Sequence, residues 1–159
     1  MKVRIGNYRK EGSKAPRIER VEIHPWDTYS AYHTLALIIY PMLVGYRKDV
    51  DEKGVVPSDF FQAVDVSDKT EEEAKALHDK MYAEALEKWL FVLDKMIWAF
   101  NEIRNDYEGE EAFFSIDETK AEDDLQNRYD LDQNGLNDYY EKIDEGLHLF
   151  ARHYRSLWW

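Results

Sequence analysis

Apolar residues recur at helical spacing in three segments of this chain, which cover residues 27–45, 69–105 and 137–157. Because positions three or four residues apart lie on one face of an α-helix, each segment predicts a helix that buries one side. The longest segment carries the clearest apolar face, which consists of Leu77, Met81, Leu86, Trp89, Leu90, Leu93, Ile97, Phe100 and Ile103. We therefore predict a mainly α fold with about three principal helices, in which the second and the third pack antiparallel.

Residues 1–24 show a different pattern, in which apolar and charged residues alternate. A period of two is typical of a strand, so this region predicts a short N-terminal β-hairpin. Asp27 or Thr28 is the expected N-cap of the first helix. Pro41 lies inside that helix and predicts either a kink or an early end. All of these elements are expected to belong to a single domain.

The composition is that of a folded and strongly acidic chain. Its 159 residues are 44% hydrophobic, which suits one domain with a buried core, and its net charge is −12. This charge repels nucleic-acid phosphates and anionic lipids, so we expect no DNA or RNA duplex and no membrane among its partners. The chain has no cysteine and its first residues lack the apolar run of a signal peptide, which together favour a cytoplasmic location.

Five tryptophans occupy three short stretches, and each stretch also carries polar or charged side chains. Aromatic rings beside such groups are typical of sites that hold a flat ligand. The residues that we predict to bind a ligand are Trp26, Asp27, His33, Asp94, Trp98, Arg152 and Arg155. In this interpretation the rings stack on the ligand, the acids and the histidine bind its polar edge, and the arginines hold a phosphate.

Each of these residues also has a purely structural interpretation. Asp27 can cap the first helix, Asp94 can bond to another helix, and Trp98 can pack in the core, where aromatic residues at helical spacing are more often found. The arginines suit the negative end of the last helix's macrodipole. His24, Asp27 and His33 form a weaker hypothesis for a divalent metal, because their spacing matches no known ligand pattern.

The segment from Asp130 to Glu141 matches the calcium loop of an EF-hand. Its oxygen ligands would be Asp130, Asp132, Asn134, Asp138 and Glu141. Against this interpretation, Asn137 stands where EF-hands place an aliphatic residue, and the sequence contains no second loop. The alternative is an acidic turn that caps the last helix. We therefore favour no metal cofactor and keep calcium as an alternative.

The sequence lacks the motifs that mark common catalytic sites. A nucleophile elbow, a P-loop and a glycine-rich dinucleotide loop are all missing, and no carboxylate pair stands out from the acidic background. We therefore expect a protein that is not an enzyme. The abundance of aromatic residues predicts that some are exposed and that the chain forms a homo-oligomer.

Three segments resemble a known family when they are taken together. The first segment, residues 23–36, contains the motif Trp-Asp-x-x-Ser-x-x-x-Thr-Leu. The second, residues 89–100, contains Leu-Asp-x-Met-Ile-Trp, and the third is the aromatic-rich segment 146–158. They cover about a quarter of the chain and are similar, in the same order, to a family of small proteins encoded by tailed bacteriophages. The resemblance implies a viral protein in the cytoplasm of the infected bacterial host, and it carries over no catalytic residues.

A phage source changes which functions are expected, because small phage proteins often act on host defences. The first hypothesis is a non-catalytic accessory protein that binds and sequesters a small nucleotide-type ligand, such as a host anti-phage defence signal. The second is a protein–protein module, either an inhibitor of a host factor or a minor virion component. The third is a single-site calcium-binding protein that uses the EF-hand-like loop.

Overall fold

Four α-helices form most of the described chain, which in this computed structural model comprises residues 2–5, 19–61, 64–116 and 129–157. The helices are α1 (Pro25–Tyr29), α2 (Ala31–Lys53), α3 (Glu71–Arg104) and α4 (Gln133–His153). Short 3-10 turns lie at Ser58–Phe60, Glu108–Phe113 and Tyr154–Ser156. The prediction of a mainly α, single-domain fold with three principal helices is confirmed.

Two small antiparallel hairpins complete the described structure. In the first, β1 (Lys2–Ile5) pairs with β2 (Glu19–Glu22), as the alternating pattern predicted. In the second, β3 (Phe114–Ile116) pairs with β4 (Tyr129–Leu131). The sequence did not predict the second hairpin, because three residues are too few to show an alternation.

The central helix is α3, and its first residues hold the cap that starts it. The Thr70 side chain accepts a hydrogen bond from the Glu73 backbone, and the Glu73 carboxylate accepts one from the Thr70 backbone, which is a capping box. These bonds hold the pKa of Glu73 below its usual range. Glu71 and Glu72 add negative charge where the helix macrodipole favours it.

Helix α2 packs antiparallel along one side of α3. Near the start of α2, the His33 ring bonds the carbonyl of Arg104 at the end of α3. Just beyond the end of α2, the carbonyl of Gly54 accepts a hydrogen bond from Tyr82, which lies near the start of α3. Gly54 ends α2 in the left-handed conformation that glycine adopts most easily.

Helix α4 packs antiparallel along another side of α3, as predicted. Tyr139 near its start donates to Glu102, whereas His153 at its end contacts the ring of Trp89. The core that the three helices share consists of Ala36, Leu43, Val50, Trp89, Leu93, Met96, Phe100, Ile103, Tyr139 and Ile143.

The predicted end of the first helix near residue 45 was wrong. A short helix, α1, ends at Tyr29, and α2 then continues through Pro41 to Lys53. A proline in a helix interior costs about 3 kcal/mol, because it removes one hydrogen bond and crowds the preceding turn. Burial of Leu43 and Val50 beyond the proline offsets that cost and keeps the helix intact. The N-cap prediction was also wrong, since His24 caps α1 and Asp27 is the third helical residue.

The last helix begins earlier than predicted. It starts at Gln133, where the Asp132 side chain accepts a hydrogen bond from the Gly135 backbone and acts as the N-cap. The regular helix ends at His153, and a 3-10 turn follows it.

Candidate functional site

The first four turns of α2 are unusual for this chain because they carry no charge. One third of all residues are charged, yet residues 31–46 contain no Asp, Glu, Lys or Arg. Only part of this stretch is buried against α3. The apolar side chains of the stretch that remain largely exposed are Tyr32, Leu35, Leu37, Met42 and Val44. A helix that is apolar on every side is normally covered on every side, so α2 presents a face that is suited to contact.

An apolar groove runs between α2 and the end of α4. Its volume is about 580 Å³, and its lining residues are Leu35, Ile39, Met42, Leu43, Tyr46, Phe150, Tyr154 and Leu157. Leu43 is fully buried, whereas Met42 and Tyr154 are each about two-thirds exposed. The groove therefore exposes part of the apolar packing surface to solvent.

Contacts between the two walls bound the groove at both ends. At one end, the ring of Tyr107 lies between Tyr32 of α2 and Tyr140 of α4, at centroid distances of 6.3 and 6.2 Å. At the other end, the Tyr46 hydroxyl donates to the carbonyl of Ser156 at 3.1 Å. The fourteen positions from Tyr32 to Tyr46 span about 21 Å of helix, so the groove is several turns long.

The turn that holds Tyr107 in this row has an uncommon backbone. Asp106 and Tyr107 have φ angles of 53° and 60°, in the left-handed region. Such angles are uncommon for a bulky residue and persist where the surroundings hold them in place. Here the neighbouring rings on α2 and α4 hold Tyr107, and the row of tyrosines fixes the spacing of the two walls.

The tyrosine end of the groove is negatively charged. Burial raises the pKa of Tyr107, and the nearby carboxylates Glu110, Asp144 and Asp106 raise it further. A hydrogen bond from the Tyr140 hydroxyl to Glu110 raises the pKa of Tyr140 to about 12. Both phenols therefore stay protonated at neutral pH, and the Tyr140 hydroxyl donates to Glu110.

A buried aromatic cluster lies next to the groove and supports the wall that Tyr46 forms. Trp89 is fully buried, and its ring lies 5.1 Å from Phe60, 5.5 Å from His153 and 6.4 Å from Tyr46. The Trp89 Nε1 and His153 Nδ1 atoms are buried and make no hydrogen bond within the described residues. The nearest carboxylate oxygen, on Asp59, lies 3.8 Å from Nδ1.

The burial of His153 makes stability depend on pH. Desolvation and the charge of Arg152 lower its pKa from the ordinary 6.5, and Asp59 only partly opposes them. As pH falls, the unfolded chain therefore binds this proton before the folded chain does. We expect the contribution of neutral His153 to be present above pH 6.5 and to be lost as pH falls through its lowered pKa.

The substitution His153→Phe tests this pH dependence. His153→Phe keeps the ring but cannot titrate, so the loss of unfolding free energy between pH 7 and pH 5.5 should be smaller than in the unmodified protein. Urea unfolding at both pH values measures the difference. His78→Gln is the control, since the His78 side chain is 74% exposed. An equal effect of the two substitutions would contradict the assignment to His153.

The first three predicted ligand residues lie in α1 and in the first turn of α2, but they do not form a pocket. Trp26 is 74% exposed and contacts Tyr29 edge-on. Asp27 accepts a hydrogen bond from the His24 backbone, as a helix-capping residue does. His33 bonds a backbone carbonyl of α3, and its Nε2 lies 3.7 Å from Asp106.

The other predicted ligand residues lie elsewhere along the bundle. Asp94 accepts two hydrogen bonds from Arg47, at 2.8 and 3.2 Å, which raise the pKa of that guanidinium. Trp98 packs edge-on against Tyr139. Arg152 and Arg155 are exposed at the far end of α4. The structural interpretation thus accounts for Asp27, Asp94 and Trp98, and the nucleotide-ligand hypothesis stays a prediction.

The residues of the calcium hypothesis are spread over a strand and a helix. Asp130 lies in β4, Asp132 caps α4, and Asn134, Asp138 and Glu141 follow along the helix. An EF-hand loop needs its first nine positions outside a helix so that they can surround the ion. Within the described residues, no three acidic or histidine side chains lie together where they could hold a metal ion.

The groove was not predicted from the sequence, although the sequence contains one signal for it. The uncharged run over residues 31–46 is visible in the sequence and identifies the helix that lines it. The contributions of Phe150, Tyr154 and Leu157 depend on how α4 packs. Trp158 and Trp159, which form the third tryptophan stretch of the sequence, lie outside the described residues.

Comparisons with protein-family models, with curated proteins and with solved structures find no significant match to this chain. The resemblance to tailed-phage proteins therefore stays a prediction. No helix in the described part of the chain combines the length and the apolar character that a membrane span requires.

Proposed function

We propose that the protein is a non-catalytic protein–protein interaction module that binds an amphipathic helix in the groove between α2 and α4. The observation that supports this most directly is the uncharged stretch of α2, which is exposed on the side that lines the groove. An interaction module was the second hypothesis from the sequence. The contact surface that the groove offers is apolar, although the chain as a whole is acidic.

The spacing of the lining residues favours a helix as the ligand. Apart from the buried Leu43, they stand on α2 at positions 35, 39, 42 and 46, and at the end of α4 and in the turn that follows it at positions 150, 154 and 157. Alternating steps of four and three are the a and d positions of helices that pack side by side. A ligand helix between these walls would complete a four-helix bundle with α2, α3 and α4.

The charges around the groove suggest which helices it rejects. The carboxylates of Glu110 and Asp144 place negative charge near Tyr107 at the tyrosine end, and this charge repels an acidic ligand. The floor and the walls offer no partner for a buried charge, and burying an unpaired carboxylate is strongly unfavourable. The expected ligand has an apolar seam and no net negative charge at the end that meets Tyr107.

A displayed library of helical peptides tests the proposal. The library carries Leu, Ile, Phe or Met at a and d positions and mixed polar residues elsewhere, and it is sorted against the purified protein at low concentration. We expect Met42→Glu to weaken the selected peptides at least about tenfold, which corresponds to about 1.4 kcal/mol. Phe91→Glu is the control, since Phe91 is 60% exposed but lies on α3 outside the groove.

Two results would contradict the proposal. The first is a selection in which no peptide is enriched on the unmodified protein relative to Met42→Glu. The second is a set of binders that lose affinity equally with Met42→Glu and with Phe91→Glu. Because Met42 is 66% exposed, its substitution should preserve the fold, and circular dichroism melting of both variants verifies this.

A further inference from the structure

We infer that the helix that fills the groove is α2 of a second copy of this chain, so that each copy lies in the groove of the other. This inference rests on the proposed function, because it names the ligand of the same groove. It predicts a two-fold symmetric dimer in which the two α2 helices run antiparallel, each between α2 and α4 of the opposite copy.

Helix α2 has the properties of the ligand that its own groove requires. Leu35 and Met42 are seven residues apart and thus lie on one face, which is more than half exposed. Around them, residues 31–46 offer no charge that the opposite groove would have to bury. The same face of α2 lines the groove of its own copy and fills the groove of the other copy. Such a surface is self-complementary, which is what a two-fold interface needs.

The offset between the two copies is sterically simple. In each copy, α2 and α4 lie side by side on α3 with the groove between them. Two such layers pack face to face when each α2 sits above the gap in the opposite layer, and this places both grooves under a helix at once. Ridges of one helix then fit the space between two others, as in helix bundles.

The exposed apolar area on the groove side supplies more than half of what a stable dimer needs. The residues concerned are Tyr32, Leu35, Met42 and Tyr154, which are between 53% and 66% exposed. Taking on the order of 200 Å² for a large side chain, these fractions correspond to roughly 480 Å² per copy. The half-buried lining residues add to this, and a standard interface buries about 800 Å² per partner.

Charge does not oppose this arrangement despite the net charge of −12 per chain. Antiparallel packing brings the end of one α2 toward the acidic tyrosine end of the other copy. That end of α2, residues 47–53, carries three basic and three acidic residues and is therefore neutral. Within it, Lys48 pairs with Glu52 and Lys53 pairs with Asp49. The acidic Glu110 and Asp144 thus face a neutral segment.

Sedimentation velocity over a concentration series tests the inference. We expect the unmodified protein to form a dimer and Met42→Glu to raise the dimer dissociation constant at least about tenfold, since the substitution buries a charge in each groove. Phe91→Glu should leave the constant unchanged. A monomer at every concentration, or a dimer that Met42→Glu does not weaken, would overturn the inference. In either case, helix selection at low protein concentration would still decide the proposed function separately.

The absence of cysteine from the chain allows a second test of the geometry. In the antiparallel arrangement, position 35 of one copy lies near position 42 of the other. A mixture of Leu35→Cys and Met42→Cys chains should therefore form the mixed disulfide under mild oxidation in preference to either like pair. Preferential linkage of both like pairs, 35 with 35 and 42 with 42, would instead indicate parallel helices and would overturn the antiparallel dimer.

Discussion

Trp89→Ala is expected to lower the free energy of unfolding by about 3–5 kcal/mol, more than any other substitution of a described tryptophan. Trp89 is fully buried, and its ring contacts Phe60, Tyr46 and His153. Removing it leaves a cavity where α3 meets the ends of α2 and α4, and the surrounding helices can close that cavity only in part. The loss is a large fraction of the stability of a typical domain, which is about 5–15 kcal/mol.

Urea unfolding of Trp89→Ala and Trp26→Ala measures this effect against a matched control. The ring of Trp26 is 74% exposed, so its removal should change stability by no more than about 0.5 kcal/mol. Similar losses of unfolding free energy in both variants would contradict the prediction that the buried ring contributes more to stability than the exposed one. Because Trp26 lies outside the core, the Trp26→Ala variant should stay folded, so any change in its association is not caused by unfolding.

Gly146→Ala is expected to destabilise the protein by about 1–3 kcal/mol, although alanine favours a helix more than glycine does. A Cβ atom at position 146 would lie 2.4 Å from the Cβ of Ala99 and 2.8 Å from the backbone oxygen of Lys95. Neither neighbour can move away by rotating a flexible side chain. The two helices must therefore separate, and the buried contacts along the α3–α4 interface weaken with them.

Gly45→Ala is a control for which the opposite change in stability is expected. Gly45 also lies inside a helix, but a Cβ atom there has no neighbour within 4 Å. Gly45→Ala should therefore stabilise the protein by about 0.5–1 kcal/mol through helix propensity alone. Thermal and urea unfolding of both variants compare them, and a stabilised Gly146→Ala would show that α3 and α4 are not packed as closely as described.

Local rules predicted α3 well and α2 poorly. The long apolar face and the acidic first turn placed α3 within two residues of its observed ends. For α2, Pro41 suggested an end that does not occur, because the free energy of a buried interface outweighs one lost hydrogen bond. Burial against other helices decides whether a helix continues through a proline. The proline itself gives no information about that burial.

The predicted ligand site shows the same difference between what local sequence rules predict and what packing decides. The sequence identified aromatic and charged residues that are common in ligand pockets, yet Asp94 and Trp98 contact different neighbouring helices, through Arg47 and Tyr139. Spacing on one helix gives the face on which a residue lies, but not the helix that packs against that face. The three tryptophans of the described chain therefore range from exposed to fully buried, and the apolar face of the longest helix predicted burial for Trp89 alone.

The sequence by itself determined the helical class, the course of α3, the acidic net charge and the uncharged character of residues 31–46, because each depends on composition or on spacing along the chain. Only the tertiary structure decided that α2 and α4 lie side by side on α3 and leave an open groove. The groove depends on contacts between residues more than a hundred positions apart, such as Tyr46 and Ser156. Such contacts follow from the packing of whole helices, which no local pattern specifies.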